Sequence, residues 1–149
     1  MKVLVPNLGS TSLKYQLLDM RDERVLVQGR IERIGSQEAR FQHQPAKGVS
    51  LEKTLLVPHH RAAIQLLVNT VFQADAPPGE RLDLVAFKTV HAGPQFCGTF
   101  VITDQVLQAM EWYAPAAPLH NAIYIDAIRV FRELLPKAQL IASFETGFH

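Results

Sequence analysis

The chain holds a single cysteine, Cys97. No disulfide can close within it, and a reducing compartment is its natural setting. With no basic neighbour in sequence, Cys97 reads as inert. No apolar run approaches the roughly 20 residues of a membrane span. The opening Met1-Lys2-Val3-Leu4-Val5-Pro6-Asn7 turns polar too soon for a signal peptide and has no small-residue cleavage site. Charge of one sign is not in excess: Lys+Arg number 15 and Asp+Glu 14, for a formal net charge of +1. That balance argues against a nucleic-acid or membrane-surface protein, which needs a basic excess on one face. Internal repeats, zinc-ligand spacings, a Walker A loop and a Gly-x-Ser-x-Gly elbow are all missing. The expectation is a cytoplasmic globular protein with neither membrane nor nucleic acid as partner.

What is there suffices for a core. The 149 residues, 48% of them apolar, allow one compact domain and fall short of two. Lys2 to Val5 is short and β-rich. Leu13, Tyr15 and Leu17 alternate with Lys14 and Gln16, the period of a half-buried strand. A charged turn at Asp19–Glu23 leads into a third strand over Val25–Ile31, so the chain opens with an antiparallel meander. Gly35 to Gly48 reads as polar and irregular, with His43 alone in it. Leu51 to Val57 reads as a strand or the lead into a helix.

Pro58 suits a first helical turn, and Ala62, Ala63, Leu66, Leu67, Thr70, Val71 and Ala74 then form an apolar stripe. Ala76-Pro77-Pro78-Gly79 closes that helix. Leu82–Phe87 reads as a buried strand. Asp104–Trp112 reads as a helix burying Val106, Leu107 and Met110. A further helix, capped by Asn121, carries Ile125, Ile128, Phe131 or Arg132, and Leu135 up to Pro136. Leu140–Phe144 is a last strand. A meander followed by alternating helices and strands implies an α/β fold, a mixed sheet with helices packed on it. It is also the element order of a ribonuclease-H-like domain.

Four segments could carry chemistry. In Asn7-Leu8-Gly9-Ser10-Thr11-Ser12-Leu13-Lys14, Gly9 lets backbone N–H groups approach a ligand closely, and the hydroxyls add donors. Ser12 and Lys14 lie two residues apart and point the same way. The Asn7 carbonyl could reach a metal-bound water. On composition alone, a hairpin turn accounts for the same residues. Lys88-Thr89-Val90-His91-Ala92-Gly93 follows a buried strand, where ligands bind in α/β folds, and Lys88 with His91 could hold an anion. A snorkelling lysine and a satisfied histidine are the plainer account. His120, in Ala117-Pro118-Leu119-His120-Asn121, opens a helix, whose start favours anions, or is incidental to a cap. Glu145 closes the last strand as a catalytic or a merely solvated carboxylate. The adjacent His59 and His60 point in different directions and make a poor metal pair.

In order, these segments resemble the acetate kinase (acetokinase) family of the actin, sugar-kinase and Hsp70 superfamily. The first resembles the family's phosphate hairpin, Asn-x-Gly-Ser-Ser-Ser-x-Lys. Phe87–Gly93, Ala117–Asn121 and Phe144–His149 resemble its His-Arg-Val-Val-His-Gly-Gly, Ala-Pro-Leu-His-Asn-Pro and Phe-Asp-Thr-Ala-Phe-His segments. The resemblance implies a ribonuclease-H-like fold and ATP-dependent phosphorylation of acetate or propionate to an acyl phosphate, with Mg²⁺. Asn7 would help hold the metal, and Ser10, Ser12 and Lys14 would face the ATP phosphates. Lys88, His91 and His120 would bind the carboxylate and acyl phosphate, and Glu145 would be the acidic catalytic residue. Lys88, Ala92 and Glu145 replace the family's Arg, Gly and Asp. They keep open an alternative, a non-catalytic nucleotide-binding or interaction module. The resemblance further implies that residues 1–149 form an amino-terminal domain whose carboxy-terminal partner is absent from this chain, that the chain is inactive alone, and that the whole enzyme is a homodimer.

Overall fold

The computed structural model describes residues 1–72, 82–90, 98–113 and 118–144. Five strands come first: β1 (Lys2–Leu8), β2 (Leu13–Asp19), β3 (Arg24–Glu32), β4 (Ala39–Pro45) and β5 (Leu51–Leu55). Then follow α1 (His60–Val71), β6 (Leu84–Val90), β7 (Gly98–Val101), α2 (Asp104–Tyr113), α3 (Pro118–Leu134) and β8 (Gln139–Phe144). All eight strands form one sheet in the order β5-β4-β3-β2-β1-β6-β8-β7. The first five are antiparallel neighbours, β6 is parallel to β1, β8 is parallel to β6, and β7 returns antiparallel. The inner run β3-β2-β1-β6-β8 is the expected ribonuclease-H-like sheet, extended by β4 and β5 at one edge and β7 at the other.

Alternation decides which face is buried. Leu13, Tyr15 and Leu17 of β2 are buried while Lys14 and Gln16 are exposed, as the period-two pattern predicts. Leu4, Leu8, Ile31, Phe41, Val85 and Phe87 continue that buried face across the sheet. Helix α1 contributes Ala63, Ile64 and Leu67 to the core, and α3 contributes Ile125, Ile128 and Phe131. The rings of Tyr124 and Phe131 meet Phe87 edge-on at 6.1 and 5.7 Å. Val106, Leu107 and Met110 of α2 join the same cluster.

Several boundaries differ from the sequence reading. Gly35–Gly48 is not irregular, because β4 occupies Ala39–Pro45 and buries Ala39, Phe41 and His43 at period two. His43 is therefore a core residue, with its Nδ1 2.6 Å from the Tyr15 hydroxyl. The region from Leu51 resolves as strand β5. Pro58 stands one residue ahead of the α1 cap rather than in the first turn, and His59 is the cap. Asn121 does not stand at the cap position: α3 already starts at Pro118, whose fixed φ suits a first helical position. Helix α3 ends at Leu134, just before Pro136. Ala74 and the Ala76–Gly79 stop lie outside the described residues, as does Cys97.

Candidate functional site

The parallel strands set the site's location. Strands β1, β6 and β8 run the same way, so their carboxyl ends, Leu8, Val90 and Phe144, emerge at one end of the sheet. Val90 pairs with Phe144, which places side by side the residues that precede His91 and Glu145. Crevices at this end are where open α/β sheets bind ligands. Helix α3 reaches the same place, for the Tyr124 hydroxyl accepts the Leu8 N–H at 3.3 Å.

The hairpin between β1 and β2 is tightly built. Gly9 N–H donates to Ser12 C=O at 2.9 Å and closes the turn. A Cβ on Gly9 would lie 2.6 Å from Ser12 Oγ, so glycine here makes room for that hydroxyl. With the Gly9 N–H taken by Ser12, the backbone donors the turn can offer a ligand are those of later residues. Ser10 and Thr11 are exposed and Ser12 is half-buried. Two contacts from outside hold the turn: Ile34 N–H donates to Thr11 C=O at 2.9 Å, and His60 Nε2 lies 2.8 Å from Gly9 O.

Asn7 and Lys14 are direct cross-strand partners, so both side chains stand on the same face at the mouth of the hairpin. Both are exposed. The Tyr124 hydroxyl lies 3.4 Å from Asn7 Oδ1. Burial raises the Tyr124 phenol above its ordinary value, opposed by the Leu8 N–H, so it stays a neutral donor. Lys14 pairs with Arg30, and Arg30 with Gln42, whose Oε1 accepts from Arg30 Nε at 2.8 Å. Gln16, Gln28 and Gln44 form the next row. Together these residues line an open groove of about 710 Å³ that includes Asn7, Lys14 and Tyr124.

The structure thus brings Asn7, Ser10, Ser12 and Lys14 onto one hairpin. Lys88 lies in β6 and His120 in the first turn of α3, while their side chains, and the whole of His91 and Glu145, lie outside the described residues. Sequence reasoning missed Arg30 and Tyr124. Alternation along β3 could have put Arg30 on the Lys14 face, but no sequence signal ties Tyr124 to a residue 117 positions away. His60 was visible only as half of a poor metal pair.

The donor set fits a nucleotide polyphosphate: exposed hydroxyls, a lysine with an arginine beside it that also pairs with Glu32 at 3.3 Å, and no carboxylate from Asn7 to Lys14. Among the described residues, no group of three His, Cys, Asp or Glu side chains could hold a metal by itself. A lone amide oxygen on Asn7 suits Mg²⁺, which keeps several waters and takes most other ligands from phosphate.

A family model described as the acetokinase family matches residues 2–149. The chain belongs to the acetokinase family. An acetate kinase of Desulfitobacterium hafniense is 40% identical over 152 residues, covering 100% of this chain and 38% of that protein. One of Streptomyces griseus is 40% identical over 155 residues, covering 99% of this chain and 37% of that protein. Among solved structures, the crystal structure of Porphyromonas gingivalis acetate kinase matches with a TM-score of 0.86 and 31% identity, over 99% of this chain and 38% of that one. A propionate kinase from Francisella tularensis shares the fold, with a TM-score of 0.85 and 24% identity over 96% of this chain and 36% of that one. The chain spans about 38% of the length of the acetokinases it matches.

Proposed function

We propose that this chain is the amino-terminal domain, residues 1–149, of a phosphotransferase that moves the terminal phosphoryl group of ATP onto acetate or propionate, giving acyl phosphate and ADP. The observation that carries this reading is the Asn7–Lys14 pair beside a turn of glycine and three hydroxyl residues, in a chain of the acetokinase family. Names of relatives and structural neighbours, acetate kinase and propionate kinase, support a short-chain carboxylate as acceptor.

Phosphoryl transfer asks mainly for alignment and charge neutralisation. Lys14 would neutralise ATP phosphate charge while Ser10 and Ser12 donate to phosphate oxygens. Asn7 Oδ1 would hold Mg²⁺ directly or through water, and the ion would supply further charge neutralisation. Lys88, His91 and His120 would hold the carboxylate and the acyl phosphate, with Glu145 as the acidic catalytic group. The rest of the active site would come from a carboxy-terminal domain joined in cis or supplied in trans, and the whole enzyme would be a cytoplasmic homodimer. No helix among the described residues is long and apolar enough to cross a membrane.

Trapping of acyl phosphate with hydroxylamine decides the matter. The intact protein with Mg-ATP and acetate should yield hydroxamate, and the 149-residue chain alone should not. A second reading has its own support: Lys88 offers a point charge where the family has a bidentate guanidinium, and Ala92 and Glu145 also depart from its pattern. If the intact protein binds Mg-ATP without coupling to acetate and yields no hydroxamate, the chain is a nucleotide-binding module instead.

A further inference from the structure

The adjacent histidines ahead of and within α1 have separate tasks. His59 Nδ1 accepts the Ala62 N–H at 3.1 Å and caps the helix. His60 turns the other way, with Nε2 2.8 Å from the Gly9 carbonyl oxygen. A carbonyl oxygen only accepts, so His60 carries a proton on Nε2 and donates it. We propose that His60 is a positioning residue for the phosphate hairpin: by holding the Gly9 carbonyl it aims the Ser10 N–H away from α1, ready for an anionic phosphate. This role rests on the nucleotide-binding reading of the hairpin and adds to it the residue that orients a backbone donor.

The reason lies in peptide geometry. The Gly9–Ser10 peptide is trans and planar, so its C=O and N–H point in opposite directions. Whatever fixes the Gly9 oxygen therefore fixes the Ser10 hydrogen. The Thr11–Ser12 peptide is held in the same manner, because Thr11 C=O accepts from Ile34 N–H at 2.9 Å. Two planes of the turn are thus pinned from outside it, one by the chain beyond β3 and one by the His60 side chain. The Gly9–Ser10 plane has most need of an anchor, since glycine leaves its ψ least restricted and the plane can flip at little steric cost. An exposed turn that sampled both orientations would bind an anion through only one of them, and its apparent affinity would fall by the fraction misoriented. A donor already aimed needs no reorganisation when the charge arrives.

The test uses the intact protein labelled with ¹⁵N-serine, as wild type, His60→Ala and His60→Gln. A glutamine side-chain amide donates at about the reach of Nε2, so His60→Gln keeps the anchor and His60→Ala removes it. The Ser10 amide resonance should shift in His60→Ala and return toward its wild-type position in His60→Gln. Calorimetry with Mg-ATP should show about tenfold weaker binding for His60→Ala, the scale of one hydrogen bond to a charged group, and a change within about threefold for His60→Gln. The role is overturned if the Ser10 resonance is the same in His60→Ala and wild type, or if both bind Mg-ATP equally. It is also overturned if both variants lose affinity alike in step with their melting temperatures, for that marks simple loss of helix packing. A wild type that gives no Mg-ATP binding overturns the nucleotide reading and this role with it, whereas loss of the role alone leaves wild-type binding intact.

Discussion

Lys14 stands where two demands meet. Its backbone belongs to a strand whose alternate residues fill the core, and its side chain is exposed opposite Asn7 with Arg30 on the other side. Removing its charge should hardly disturb the fold, because exposed substitutions clear of special features change stability by about 0.5 kcal/mol or less. Lys14→Met should nevertheless weaken Mg-ATP binding by about ten- to a hundredfold, the worth of about 1.5–3 kcal/mol for a hydrogen bond to a charged group. Calorimetry and a urea titration on the same variant check both halves: affinity should fall while the urea midpoint holds. A midpoint that drops with the affinity would show that Lys14 acts through the fold.

At the scale of elements, the meander is held in register by an unusual contact. Gly29 of β3 lies opposite Tyr15 of β2 and His43 of β4. A Cβ on Gly29 would run into the Tyr15 hydroxyl and ring, and would come within 2.7 Å of the Gln42 carbonyl oxygen. The tyrosine thus crosses the bare glycine to reach His43. Gly29→Ala should cost about 1–3 kcal/mol by overpacking, read as a lower urea midpoint. Tyr15→Phe should also destabilise, since it leaves His43 Nδ1 without its hydroxyl partner. In the double variant the two losses should be less than additive, because the displaced hydroxyl is already gone. Full additivity would mean that the glycine is there for another reason.

The same contact shows what could be read in advance. Strand β2 and the stripes of α2 and α3 were legible because each carries apolar residues at a clear period, and β1 and β3 because each holds a short β-rich apolar run between polar turns. Strand β4 was not: of Ala39-Arg40-Phe41-Gln42-His43-Gln44-Pro45, only alanine, phenylalanine and histidine face inward, and a histidine counts as polar until its partner is known. Strand β7 offers four residues, Gly98–Val101, and exists through its pairing with β8. The hairpin residues of the candidate site could be proposed from their motif. Tyr124 and His60 could not, because they reach it from 117 and 51 positions away.

At the scale of the whole molecule, burial of His43 ties the fold to pH. Burial lowers its affinity for a proton, so it titrates below the ordinary histidine value. The unfolded chain takes up a proton near pH 6.5, and the folded chain does so only at lower pH. Between those points the unfolded state binds more protons, so stability falls as pH falls. The contribution is fully present above about pH 6.5 and is lost on acidification below it. A protonated imidazole donates from both nitrogens, so the Tyr15 hydroxyl would then have to accept from Nδ1 and place its own proton elsewhere in an apolar core. A second window lies lower. Hydrogen bonds from the Arg21 side chain and backbone hold the Asp19 carboxyl well below the usual carboxylate range. That stabilisation is present above about pH 4 and is lost as pH falls through the depressed folded value. The two groups destabilise in the same direction but in separate ranges. Urea midpoints measured from pH 8 to pH 3 should therefore decline in two stages. His43→Gln should flatten the stage between about pH 7 and pH 5 and leave the acid stage in place. Arg21→Ala should do the reverse. A His43→Gln curve parallel to wild type across pH 7 to 5 would show that His43 takes up its proton at the same pH folded and unfolded, against the apolar surroundings and the hydroxyl partner described for it.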